Sequence, residues 1–264
     1  MLTKDALKAI KGDFLRGSNL LRKLFRTQGN ASGVREQGHS LNGKALVRSF
    51  ISARSCRENS DRFVVNVKKP QAKAVFSFAI DFSGSMSRNG SRNESYFPRA
   101  STWEQVLGCL YGVTHVAESV GIKSKVAFIE FENGYTDKGY GMGESTRNVI
   151  KDFEEKAWSD DYTLKLARLN PHDGDDLAEY ARHAIAMVEN ENAQHKVAFF
   201  MTDGVNNYSH LYYQSLAEQA KAKGVKLIGI SYCTPLNKAM PNGIYVEDSK
   251  QLASAILKEL EKLF

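Results

Sequence analysis

Two stretches of this 264-residue chain place carboxylates beside hydroxyls in a pattern suited to holding a hard cation. The first is Asp81-Phe82-Ser83-Gly84-Ser85, which follows the short apolar run at 74–80. The second is Thr202-Asp203-Gly204, which follows a similar run at 197–201. Two carboxylates facing each other at close range repel, so either one is protonated or a cation lies between them. The hydroxyls of Ser83 and Ser85 favour the cation. Alternate residues beyond a strand end present oxygens on one side, and Gly84 permits a tight turn between them. Carboxylate, hydroxyl and water are hard ligands suited to Mg²⁺, Mn²⁺ or Ca²⁺.

For this to work, Asp81 and Asp203 must face one crevice. In open parallel sheets, ligands bind beyond the carboxyl ends of strands, at the point where the strand order reverses. The rest of the chain supplies such a sheet. Buried-strand patterns occur at 74–80, 126–131, 197–201 and 227–230, with a short one at 244–246. Helical spacing is expected over 103–120, 145–158, 175–190 and 208–223, and in a last helix N-capped by Asp248 or Ser249. The Gly-rich stretch at 133–144 has room for a short edge strand. Strands alternating with helices predict an α/β class, a Rossmann-like three-layer α/β/α fold with a mainly parallel sheet, over 71–264.

Ahead of it, residues 1–70 read as a basic, partly helical extension. Leu2, Ala6, Leu7, Ile10 and Phe14 recur at helical spacing and continue in Leu20, Leu21, Leu24 and Phe25, with Gly12 and Gly17 as interruptions. Residues 27–43 read as loop, 44–55 as a helix and 63–67 as a strand.

The spacing Asp-x-Ser-x-Ser at a strand end resembles the metal-ion-dependent adhesion site of von Willebrand factor A domains, and Thr202-Asp203-Gly204 matches that family's third metal loop. The second loop of the family supplies a threonine before a helix. Here the stretch is Pro171-His172-Asp173-Gly174-Asp175-Asp176-Leu177, and alignment on Gly174 puts Asp175 at the threonine position, with Asp173 and Asp176 as rivals. An acidic residue in this loop is similar to the cobaltochelatase CobT-type subunits. The resemblance extends to Val246-Glu247-Asp248 with the amphipathic helix after it and to residues 39–63, covering 39–264 in all. It implies metal ligands at Asp81, Ser83, Ser85, Asp175 and Asp203. It also implies Mg²⁺ (Mn²⁺ or Ca²⁺ possible) as the ion and a MoxR/CobS-like AAA+ ATPase as partner. The implied role is that of an adaptor in metal insertion for cobalamin biosynthesis or in protein remodelling.

Composition bounds the alternatives. Residues 1–70 hold 15 Lys/Arg against 5 Asp/Glu, whereas the remainder holds 21 against 25. The basic segment suits an acidic protein or nucleic acid as a second partner. Cys56, Cys109 and Cys233 are odd in number and far apart, which fits neither a disulfide framework nor a zinc cluster. No Gly-x-x-x-x-Gly-Lys-Ser/Thr loop is present for ATP hydrolysis, and Ser83-Gly84-Ser85 is not a Gly-x-Ser-x-Gly elbow. A metal-dependent hydrolase is the weakest reading, because Ser83 stands where a second acid belongs. No stretch reaches the ~20 apolar residues of a membrane span, and the expected setting is the cytoplasm.

Overall fold

In a computed structural model, the residues described are 2–14, 30–34, 64–68, 74–88, 100–119, 121–131, 144–155, 158–172, 176–203, 210–232, 243–247 and 249–262. Met1–Leu21 and Lys73–Phe264 form one compact unit, and Arg22–Ala72 form a second. The second unit contains β1 (Asn30–Val34) and β2 (Val64–Lys68), paired antiparallel from Asn30↔Lys68 to Val34↔Val64. β2 sits where alternation predicts a strand. β1 falls in a stretch expected to be loop: its Asn, Ser and Gly are poor strand formers, and pairing with β2 overrides that preference. The helix expected at 44–55 lies outside the described residues.

The first unit opens with α1, residues 4–14, which runs through Gly12 without a break. β3 (Ala74–Asp81), α2 (Thr102–Ser119) and β4 (Lys123–Phe131) follow, then β5 (Ser145–Lys151), α3 (Asp160–Leu166) and α4 (Leu177–Val188). β6 (His195–Thr202), α5 (His210–Ala222), β7 (Val225–Tyr232), β8 (Ile244–Val246) and α6 (Ser249–Glu261) complete the unit. The sheet order is β5-β4-β3-β6-β7-β8, with every neighbouring pair parallel except β4–β5. The chain builds outwards from β3 to β5, then returns to the other side of β3 for β6. The reversal therefore lies between β3 and β6, the two strands that end in Asp81 and Thr202.

All eight residues of β3 are buried, as a central strand covered on both faces must be. Val75 and Ala79 pack with α4 and α5 through Tyr180, Ala181, Ala184 and Leu216. Ser77, on that same face, donates to the carbonyl of Ala184 at 2.7 Å, which ties α4 to the sheet. Phe76, Phe78 and Ile80 alternate with these residues and are fully buried on the other face. α2 ends where Gly121 takes φ 84°, the left-handed conformation that closes a helix with least strain in glycine. The Gly121 and Ile122 amides there bond to the carbonyls of Glu118 and Ala117.

α1 joins this unit by packing on α2. Leu7, Ile10 and Phe14 are buried, each contributing about 1.5–3 kcal/mol. Gly112 makes room for them, since a Cβ there would come within 2.5 Å of Phe14 Cδ2 and 2.8 Å of Ile10 Cγ2.

One element differs in kind from expectation. Residues 145–151, read from the sequence as the start of a helix, form the edge strand β5, antiparallel to β4. A bulge between Val126 and Ala127 in the pairing lets Ile150 and Lys151 both turn inwards, breaking the alternation that marks a strand. α3 was not anticipated either, although Ser159 caps it through the Tyr162 amide and Asp160 and Asp161 fill its first turn. Cys109 is a buried free thiol. No helix among the described residues is long and apolar enough to cross a membrane.

Candidate metal centre

The site forms at the carboxyl end of the sheet, where β3 and β6 run side by side. Phe82 fixes its first loop. The Phe82 ring lies 5.0 Å from Trp103 and 4.6 Å from Phe128, wedged into the aromatic core on the α2 side. With Phe82 held there, its neighbours Asp81 and Ser83 are directed away from that core. A short 3₁₀ turn, Gly84–Ser87, follows. Gly84 lies against the second loop: a Cβ there would meet the main chain of His172 at 3.8 Å, an ordinary contact. Its φ is not in the left-handed region, so the turn that Gly84 permits is one that other residues can also adopt.

Asp81 is fully buried. Its Oδ1 accepts the Ser83 amide at 2.6 Å and the Tyr180 hydroxyl at 2.9 Å, and its Oδ2 accepts the Thr202 hydroxyl at 2.7 Å. Burial pushes its pKa up to about 6, the donors from Thr202 and Ser83 pull against that rise, and the charge of Asp203 adds to it. Beside it, the Ser83 and Ser85 hydroxyls lie 2.9 Å apart, and Ser85 donates to Asp203 Oδ1 at 2.6 Å. Ser83 stands at the N-cap of the 3₁₀ turn, yet its side chain caps nothing. Its hydroxyl is turned to Ser85 instead, which a plain strand-closing turn does not require.

Four of the five residues singled out from the sequence, Asp81, Ser83, Ser85 and Asp203, thus meet in one cluster. Asp175 and its rival Asp173 lie outside the described residues. Asp176 is the N-cap of α4, accepting the Ala178 amide at 2.8 Å. His172 is exposed, its Nδ1 3.0 Å from the Asn170 carbonyl oxygen and its ring against Phe82.

Sequence reasoning missed Tyr180, and it read Thr202 only as part of a motif. A signal for Tyr180 existed: it lies three residues after Leu177 and four before Ala184, on the face that helical spacing turns to the sheet.

The donor set consists of two carboxylates and two hydroxyls, all hard oxygen. Among the described residues no three His, Cys, Asp or Glu converge. A divalent cation fits these residues on a physical ground: Asp81 is a buried carboxylate surrounded by neutral donors, with a second carboxylate near it. The residues that would hold the ion are Asp81, Ser83, Ser85 and Asp203, and the oxygen set suits Mg²⁺, Mn²⁺ or Ca²⁺.

No family model matches the chain, and no curated protein matches it. Solved structures do. The chain is similar to the PilB minor pilin of Streptococcus sanguinis at 12% identity and a TM-score of 0.50, over 78% of this chain and 66% of that one. It is similar to proximal thread matrix protein 1 of the mussel byssus, solved with a zinc-occupied MIDAS motif, at 16% identity and a TM-score of 0.49, over 73% of this chain. It is also similar to the SpRpn10 VWA domain, at 11% identity and a TM-score of 0.48, over 70% of this chain and 94% of that one. The match spans 46% of the mussel protein's length. At these identities the likeness is one of fold. The six-stranded order with a single antiparallel edge strand, layered between helices, is a Rossmann-like three-layer α/β/α fold, the class expected from the sequence.

Proposed function

We propose that this chain is a metal-dependent protein-interaction module of the von Willebrand factor A type. The observation that carries the reading is the hydrogen-bonded group Asp81, Ser83, Ser85 and Asp203 at the strand reversal between β3 and β6. There a buried carboxylate has hydroxyl company and, among the described residues, no cationic side chain. The ion proposed is Mg²⁺. The acidic Asp175 of the second loop would raise the formal ligand charge towards −3, and an ion so neutralised braces the loops into a docking surface without drawing on a partner's carboxylate.

The finer reading makes the module a CobT-like adaptor for a MoxR/CobS-like AAA+ ATPase in the cytoplasm, serving metal insertion or protein remodelling. Its support is the sequence resemblance over residues 39–264 and the acidic residue in the second loop. The test is a pull-down from the native host with Mg²⁺ and with EDTA, comparing the wild type with Asp81→Ala. Recovery of an AAA+ ATPase only with Mg²⁺ and intact Asp81 is the expected result. Recovery regardless of metal contradicts a metal-dependent contact, and recovery of no ATPase contradicts the adaptor role.

A second reading has its own observation. Arg22–Ala72 is a separate compact unit holding 11 Lys/Arg against 3 Asp/Glu. This unit would hold an acidic protein or nucleic acid, with binding that weakens steeply as salt rises.

A further inference from the structure

The donors on Asp81 are unequally shared between its two oxygens. Oδ1 accepts two, the Ser83 amide at 2.6 Å and the Tyr180 hydroxyl at 2.9 Å. Oδ2 accepts the Thr202 hydroxyl at 2.7 Å, and the Ser83 hydroxyl also lies close enough to act on the carboxylate. A carboxylate oxygen offers about two lone-pair directions, so Oδ1 is filled and the remaining acceptor capacity lies on Oδ2. The Ser83 amide belongs to the loop itself and Thr202 to the neighbouring strand, whereas Tyr180 reaches Asp81 from the helix layer. Its phenol is held rigidly. Tyr180 is fully buried in the first turn of α4, its amide bonds to the Asp176 carbonyl at 3.2 Å, and its ring meets Phe131 at 5.8 Å and 66°. α4 is in turn fastened to β3 through Ser77 and Ala184.

We infer that Tyr180 is a positioning residue that occupies Asp81 Oδ1, leaves Oδ2 as the oxygen offered to a cation, and so biases the site towards a small octahedral ion. The inference rests on the metal reading of the site. Mg²⁺ demands near-octahedral geometry with one oxygen from each ligand. Ca²⁺ takes six to eight oxygens and readily accepts both oxygens of one carboxylate. Removing the phenol hydroxyl returns a lone pair to Oδ1 and frees the carboxylate to turn, which favours the larger ion. The group acts through Asp81 and needs no contact with the ion.

The test is calorimetric titration of Mg²⁺ and of Ca²⁺ into EDTA-stripped wild type, Tyr180→Phe and Phe131→Leu. Losing one hydrogen bond to a charged group should lower the Mg²⁺-over-Ca²⁺ affinity ratio about tenfold in Tyr180→Phe. Phe131→Leu disturbs the packing of the same ring but keeps its hydroxyl, so its ratio should match the wild type. An unchanged ratio in Tyr180→Phe, or an equal change in Phe131→Leu, overturns the inference. Wild type that binds neither ion overturns the underlying metal reading instead. A readout independent of any variant guards against a Tyr180→Phe protein that does not fold. Mg²⁺ draws charge from Asp81 and weakens the phenol's hydrogen bond, so saturation should produce a tyrosine difference band in the near-ultraviolet, and its absence overturns the inference.

Discussion

Two charged side chains are buried at opposite ends of this molecule's sheet, and they are treated differently. Lys151, at the end of β5, is 1% exposed and answered within the protein. Its ammonium donates to the carbonyls of Ser124 at 2.9 Å and Asp152 at 3.1 Å, and lies 2.9 Å from Glu118 Oε1, a contact held by charge more than by hydrogen-bond alignment. Asp81, at the end of β3, is just as buried but meets only the neutral donors Ser83, Tyr180 and Thr202. Among the described residues no Lys or Arg answers it, and the charge that acts on it is that of Asp203, of the same sign. Lys151 is a completed ion pair, whereas Asp81, among the described residues, is a half-pair with no cationic side chain against it.

Breaking the completed pair should give the largest effect. Lys151→Ala removes a fully buried ammonium from its two carbonyl acceptors and from Glu118, and dismantling such an arrangement costs about 3 kcal/mol. Urea unfolding of the metal-free protein should show that loss with Mg²⁺ affinity unchanged. A loss below about 1 kcal/mol would place Lys151 outside the core energetics.

The half-pair should respond in the opposite sense. Asp81→Asn removes an uncompensated buried charge, so in EDTA at neutral pH it should stabilise the protein by about 1–3 kcal/mol while abolishing any response to Mg²⁺. Destabilisation in EDTA would mean that the carboxylate is already compensated.

A pH series sharpens the same point. The folded-state pKa of Asp81 is raised from 3.8 to about 6, chiefly by burial. Its contribution to stability is therefore fully present below 3.8 and is lost as pH rises through about 6. Metal-free protein should gain stability on acidification from neutral pH to about 5, by an amount on the order of 1 kcal/mol. Mg²⁺ competes with that proton, so its affinity should fall as pH drops below about 6. A metal-free stability profile that is flat over this window, alike in wild type and Asp81→Asn, would contradict the assignment.

Asp175→Thr tests the second loop and carries the smallest expected change, a weakening of Mg²⁺ binding by about tenfold, or 1.4 kcal/mol. Equal or tighter binding in calorimetry would remove Asp175 from the ligand set.

The difference between the two buried charges also marks what the sequence makes legible. Asp81, Ser83, Ser85 and Asp203 could be read because strand ends of a parallel sheet converge where the order reverses, and a run of apolar residues followed by Asp announces such an end. The alternation of strands and helices carried the layer architecture. Lys151 and the strand that bears it could not be read. Ile150 and Lys151 turn inwards together at a bulge, and that local irregularity erases the period-two signal. β1 was hidden for another reason, because Asn30 to Val34 has strand character only through its partner. Tyr180 fell between these cases. Its helical position was available, but an aromatic at such spacing reads as core until its hydroxyl is seen to reach Asp81.

The claim that Asp81 awaits a cation is tested most directly by calorimetric titration of Mg²⁺ into EDTA-stripped wild type and Asp81→Asn at neutral pH. One saturable site in the wild type and none in Asp81→Asn is the predicted result. No saturable binding in the wild type, or equal binding in both proteins, would contradict it.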